Sequence, residues 1–185
     1  MFMLTSLDRQ DREAITQHLL RLTPADRRQR FMAMCNDDFI RRYVAGLAPE
    51  RDLLIGAFDA SCLVGLAHVA TCHGGGESDI TVEVGLSVQA DMRRRGLGRQ
   101  LCASARASAT AAGARRMVLH FASANHAMAA LMRKLDAAVV VQGCEAVALL
   151  DLHRDGPPPA AQQQRAGRLV SSFGPLTKIN PRASM

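Results

Sequence analysis

The stretch VQADMRRRGLGRQL, residues 88–101, constrains this chain most, because an apolar strand there runs through a glycine-bearing turn straight into a helix. Upstream, ITVEVGLSV at 80–88 is rich in β-branched residues, as a strand requires. Downstream, Leu97, Leu101 and Ala105 recur four apart in an alanine-rich segment that Gly113 is placed to end, which predicts a helix over 97–113. The first N–H groups of such a helix have no internal partner and carry the positive end of its dipole, so the junction is suited to a pyrophosphate. Gly96 and Gly98 let the chain approach an anion without a Cβ in the way. Each charge-assisted amide-to-phosphate bond contributes roughly 1.5–3 kcal/mol, so the main chain matters more than any one arginine. Taken alone, two glycines and three arginines describe an ordinary basic turn. The flanking strand and helix set this one apart.

The rest of the chain predicts an α/β fold of the α+β kind, a single domain over 1–153 with N-terminal helices in 1–50 and a core in 51–152. Ile15, Leu19 and Leu22 recur at helical spacing after Asp8, so the chain is expected to open with an amphipathic helix over 8–21. Thr23-Pro24 starts a second helix, and Asn36 caps a third in which Phe39, Ile40, Tyr43 and Val44 share a face. LLIGAF at 53–58 and CLVGLAHVA at 62–70 read as a hairpin about Asp59-Ala60-Ser61, followed by a Gly74-Gly75-Gly76 loop. MVLHFA at 117–122 is a strand, 126–135 a helix, and VVVQ with AVALLDL a closing pair of strands. From residue 154 the text becomes RDGPPPAAQQQRAGR, too poor in apolar residues to offset chain entropy, and 154–185 is expected to be a disordered basic tail.

Composition narrows the function. At 185 residues and 48% hydrophobic the chain suits one core. It has no apolar run of about 18 residues, and its start lacks a basic-then-apolar layout, so it is expected to be soluble and cytoplasmic, with no membrane partner. The net charge of +6 invites a nucleic-acid reading, but residues 154–185 hold five bases against one acid, and aromatic residues make up only 4%. Nucleic acid is therefore not the expected partner. The five cysteines are scattered without a Cys-x-x-Cys spacing and read as buried, reduced thiols; Cys72 and His73 without a second pair are a turn, and no metal is expected.

Arg93-Arg94-Arg95-Gly96-Leu97-Gly98 resembles the Arg/Gln-x-x-Gly-x-Gly/Ala signature of the GNAT family of N-acetyltransferases. VEVGLSV before it resembles the strand that bonds the pantetheine arm, and RRMVLHFA followed by Asn125-His126-Ala127 resembles the second half of that fold. LLRLTPADRRQRF also resembles a subgroup of bacterial members, some attached to larger protein acetyltransferases. The resemblance implies a mixed, mostly antiparallel central sheet flanked by helices. It implies acetyl-CoA as acyl donor, bound by Leu86, Ser87, Val88, Arg93, Arg94, Arg95, Gly96, Leu97, Gly98, Arg99 and Asn125. The acceptor would be a primary amine, on a small molecule or on a protein lysine or N-terminus. Some members pair through their last strands, so a homodimer is compatible with it.

For catalysis the resemblance implies a backbone amide near Ser87 or Val88 that polarises the thioester, and Glu83, on the strand face shared with Gly85 and Ser87, as acceptor of the amine proton. Glu83 also reads as an exposed carboxylate paired with one of the many arginines, with Glu77 and Asp79 in reserve. The tyrosine that many members use to protonate the thiolate falls at Met132 here. Three alternatives stay open: departure of the thiolate directly or through water, substitution by Ser123 or Tyr43, or a non-catalytic acyl-CoA sensor. Among the remaining residues, Asn125 caps the following helix, Met128 and Met132 pack in the core, and His120 reads as a hydrogen-bonded structural histidine. Arg27, Arg28 and Arg30 read as a solvated helix face, or else as an attractant for an acidic acceptor or the adenosine phosphate.

Overall fold

The computed structural model describes residues 2–72 and 80–153. His73, the three-glycine loop, Glu77, Asp79 and the 154–185 tail lie outside the described residues.

The chain opens not with a helix but with a strand, β1 (Met3–Ser6), antiparallel to β2 (Leu53–Asp59). Its four residues carry no periodic signal of their own; the partner that makes them a strand lies some fifty residues on. Asp8 then accepts from Gln10 N–H at 2.7 Å while Asp11 accepts from Asp8 N–H at 2.8 Å, a reciprocal cap that starts a turn of 3-10 helix and then α1 (Arg12–Leu20). Thr23 Oγ1 accepts from Asp26 N–H at 3.1 Å to begin α2 (Pro24–Phe31), and Asn36 Oδ1 accepts from Phe39 N–H at 2.9 Å to begin α3 (Asp37–Ala45). The remaining elements are β3 (Cys62–Cys72), β4 (Thr81–Val88), α4 (Leu97–Ala111), β5 (Arg116–Ala122), α5 (His126–Lys134), β6 (Ala138–Gln142) and β7 (Glu145–Asp151).

The strands form one sheet in the order β1-β2-β3-β4-β5-β7-β6. Each neighbouring pair is antiparallel except β4 with β5, which run parallel because α4 returns the chain to the sheet end where β4 began. Mostly antiparallel with flanking helices, this is the expected fold class.

Period two divides the sheet into two faces. Val82, Val84 and Leu86 of β4 and Met117, Leu119 and Phe121 of β5 pack with Leu97, Leu101, Cys102 and Ala105 of α4 and Met132 of α5. On the opposite face Leu54, Leu63 and Leu66 pack with Ile15, Leu19, Phe31, Ile40 and Val44 of the first three helices. The two faces of β4 therefore serve different helices. Its residues 81, 83, 85 and 87 all look toward the N-terminal helices.

Two surface expectations need correction. The cysteines are not uniformly buried: Cys102 is, but Cys62 and Cys144 are exposed at strand ends. The arginines of α2 are not one solvated face either. Only Arg28 is exposed; Arg27 donates to Leu20 O at 2.6 Å and to Asp37 Oδ1 at 2.6 Å, and Arg30 is buried.

Candidate active site

The parallel pairing of β4 with β5 covers three residues, Thr81↔Arg116, Val82↔Met117 and Glu83↔Val118, and among the described residues it goes no further. From Val84 onward β4 pairs with β3 alone, and from Leu119 onward β5 pairs with β7 alone. The strands part, and a cleft opens between them at their C-terminal ends. Gln89 N–H donates to Val64 O of β3 at 2.9 Å, so by antiparallel alternation the main-chain groups of Ser87 also turn toward β3. Those of Leu86 and Val88 turn toward the cleft. Of the two amides named from sequence, Val88 is therefore the one aimed where β5 has withdrawn.

The N-terminus of α4 stands beside this cleft. Gly96 is its N-cap with φ +82°, and a Cβ built there would meet nothing within 4 Å, so conformation rather than space demands glycine. The first main-chain bond into the helix is Gln100 N–H to Gly96 O at 3.1 Å, which leaves the N–H groups of Leu97, Gly98 and Arg99 ahead of the helical ladder. A Cβ at Gly98 would come no closer than 3.8 Å to anything, and its neighbour there is Leu131 of α5. Glycine at this position keeps the face between the two helices low. Asn125 caps α5, its Oδ1 accepting from Met128 N–H at 3.0 Å, with the rest of its amide at the end of β5.

The arginines of the turn have separate fates. Arg93 is committed to structure: it pairs with Asp26 of α2 at 2.8 Å, and its Nε donates to Val88 O at 3.1 Å. Partial burial is the largest single influence and works to raise the Asp26 carboxyl, but the bond and charge of Arg93 together with the Thr23 bonds outweigh it and hold the group below its ordinary value. Arg95 donates to Met92 Sδ and lies over the Phe2 ring, 5.6 Å from its centroid. Arg94, at φ +62°, and Arg99 are exposed beside the helix start.

The other face of β4 is unusually polar for a buried surface. Glu83, 4% exposed, sits at the last paired position before the strands part. Ser87 donates from its hydroxyl to His18 Nε2 at 2.8 Å, while His18 Nδ1 lies 3.1 Å from Leu63 O. Burial, against the bond to Leu63 O, drives the His18 pKa down to about 4, so the ring is neutral. Over Gly85 lies the guanidinium of Arg30, so close that a Cβ would overlap it. Arg30 donates to Tyr43 Oη at 3.0 Å, Tyr43 Oη donates to His68 Nδ1 at 2.6 Å, and His68 Nε2 points at Asp52 Oδ2, 3.5 Å away. That last contact is too long for a good hydrogen bond, and burial keeps His68 below its ordinary pKa despite the acid, so the ring is neutral. Burial also raises the Tyr43 phenol, against the pull of Arg30.

The residues named from sequence fall in two places: Glu83, Gly85 and Ser87 on the face of β4 toward the N-terminal helices, and Gly98 and Asn125 at the starts of α4 and α5. Sequence reasoning did not foresee the Arg30–Tyr43–His68–Asp52 line, whose members come from α2, α3, β3 and the residue before β2. His120 differs from expectation: it lies on the Glu83 face of β5, and its Nε2 is buried with no hydrogen-bond partner among the described residues. Met132 is fully buried against α4 and β5, so no proton donor occupies that position. Ser123 donates to Gly143 O at 3.2 Å, and Tyr43 stands on the Glu83 side of the sheet.

Comparison with known proteins bears on the family and the fold. The model of the acetyltransferase (GNAT) family matches residues 13–137. Among solved structures, the GNAT domain of S. lividans PAT superimposes with a TM-score of 0.69 at 15% identity, covering 80% of this chain and 89% of that one. For yncA of Salmonella typhimurium with its cofactor acetyl-CoA the TM-score is 0.66 at 18% identity, with 86% and 99% covered. An N-acetyltransferase from Staphylococcus aureus Mu50 gives 0.65 at 17% identity, with 82% and 99% covered. At these identities the likeness is one of fold. No curated protein matches the sequence.

Proposed function

Because the chain belongs to the GNAT acetyltransferase family, we propose that it transfers the acetyl group of acetyl-CoA by direct attack of a primary amine, on a small molecule or on a protein lysine or N-terminus. The observation that carries this reading is the parting of β4 from β5 beside the free N–H groups that begin α4. The pyrophosphate sits on the amides of Leu97, Gly98 and Arg99, with Arg94, Arg95 and Arg99 supplying positive potential and Arg93 holding the turn in shape. The pantetheine arm runs along β4 as a surrogate strand, bonded by the main chain of Leu86 and Val88 next to Ser87, and Asn125 flanks it from β5. The Val88 N–H polarises the thioester carbonyl. Glu83, one face over and two residues before Gly85, accepts the amine proton directly or through water. With Met132 sealed in the core, the thiolate departs directly, through water, or with a proton from Ser123 or Tyr43.

Met132 also favours a second reading, an acyl-CoA sensor that binds without transferring. Calorimetry with acetyl-CoA and an acetylation assay across an amine panel separate the two. Enzyme function predicts micromolar binding abolished in Gly98→Glu, and turnover lowered about 100-fold or more in Glu83→Gln with binding retained. Binding without turnover of any amine supports the sensor. A folded Gly98→Glu variant that still binds acetyl-CoA would sink the cofactor placement.

A further inference from the structure

One apolar face of the sheet is buried without a helix of its own. The register places Val118 and His120 of β5, Val147 and Leu149 of β7, and Ala138 and Val140 of β6 side by side, on the side of the sheet that carries Glu83. α4 and α5 pack on the other side, while the apolar side chains of α1 to α3 pack on β2 and β3, and α2 reaches across to β4 and β5. Val118, Ala138, Val147 and Leu149, with Val140 beside them, form a cluster of their own, to which no helix among the described residues contributes a side chain. Yet Val147 is 0% exposed, and Val118, Ala138 and Leu149 are each 1% exposed. His120 Nε2, on the same face, is also shut off from solvent, with no hydrogen-bond partner among the described residues. Side chains standing on an uncovered sheet would be in water, so something lies over these.

Two parts of the chain lie outside the described residues, and they differ in what they could cover. Residues 73–79, HGGGESD, carry no aliphatic side chain. Residues 154–185 follow directly on β7, and Leu152 N–H donates to Arg115 O at 2.9 Å, so the chain leaves from the edge of this same patch. The composition that predicts disorder belongs to RDGPPPAAQQQRAGR, residues 154–168; the stretch after it, LVSSFGPLTKI at 169–179, holds Leu169, Val170, Phe173, Leu176 and Ile179. Reach does not limit it: an extended 154–168 spans up to about 50 Å, and three neighbouring strands are only about 10 Å across. Charge agrees as well. Glu145 and Asp151 stand at the two ends of β7 on this face, and Arg165, Arg168, Lys178 and Arg182 lie in and around the apolar stretch.

We propose that residues 169–179 of this chain dock on the β5–β7–β6 face, setting Phe173, Leu176 and their apolar neighbours on Val118, Val147 and Leu149, with the basic side chains toward Glu145 and Asp151. The segment does for this half of the sheet what α1 to α3 do for the other.

Methyl NMR of the full chain tests the contact directly. Val147 and Leu149 methyls should show nuclear Overhauser effects to the Phe173 ring, and these should be absent from a sample mixed from methyl-labelled and Phe-labelled molecules, where only contact between copies gives a signal. Phe173→Asp combined with Leu176→Asp should lower the melting temperature by roughly 5–10 °C, while Ala160→Asp, in the proline- and glutamine-rich stretch, should leave it unchanged. Methyls of Val118, Val147 and Leu149 that contact nothing in 169–179 overturn the proposal. So does a signal in the mixed sample, which would make this face an interface between two copies. A melting temperature unmoved by the double substitution, or lowered equally by Ala160→Asp, also overturns it. Neither experiment contains acetyl-CoA, so the outcome is separate from the reading of acetyl transfer.

Discussion

His18 shows how one residue ties the first helix to the strand that carries Glu83. Its ring is fully buried, bonded on one side to the Leu63 carbonyl and on the other to the Ser87 hydroxyl, and Gln89 Nε2 donates to its main-chain oxygen at 2.7 Å. Its folded pKa of about 4 lies below the ordinary 6.5. The unfolded chain therefore takes up a proton that the folded chain refuses, and stability falls as pH drops from about 6.5 toward 4, by at most about 3 kcal/mol. Above pH 6.5 the contribution is complete. Urea denaturation between pH 7 and 4.5 should show this decline, and His18→Gln should make it shallower, with His68 and His120 leaving a residual slope of the same sign because burial lowers both of them. A wild type whose stability is flat over that range would refute the assignment.

At the scale of elements, the N-terminal helices hold together through side chains that reach the ends of their neighbours. Arg12, at the start of α1, donates to Val44 O at 3.0 Å, Ala45 O at 2.8 Å and Leu47 O at 2.6 Å, the last carbonyls of α3 and its exit. Arg12→Ala should destabilise the fold by about 2 kcal/mol, since three charge-assisted bonds are lost from a partly exposed site. A change in the free energy of urea unfolding of under a quarter of that would contradict the cap. Such contacts explain what was legible in the sequence and what was not. The caps at Asp8, Thr23 and Asn36, the strand at 80–88 and the turn at Gly96 are local signals, and each falls where its residues place it. β1 was missed because only pairing with β2 makes it a strand, and Arg30 was misjudged because its burial depends on Gly85 and Tyr43. The charged pattern of α2 resembles a solvated helix until the sheet beneath it is known.

The whole molecule is a sheet of two unequal halves, β1 to β4 and β5 to β6, joined at the middle by three paired residues. A ligand lying in the cleft would span that joint, bonding the main chain of β4 on one side and touching α5 on the other. Leu86 and Val88 N–H groups, turned toward the opening, should exchange faster with solvent in the free protein than those of Gly85 and Ser87, which alternation turns toward β3. Acetyl-CoA should slow the first pair selectively. Acetyl-CoA at about 100 times its dissociation constant should also add about 2.7 kcal/mol of stability, raising the melting temperature by roughly 5–10 °C. Gly98→Glu should remove both effects together, because the pyrophosphate anchor and the pantetheine bonds belong to one bound molecule. Hydrogen exchange with amide resolution, run beside thermal melts, tests this directly. Protection that appeared at Gly85 and Ser87 but not at Leu86 and Val88 would mean the ligand does not run along the open edge of β4, and the cleft would then need a different occupant.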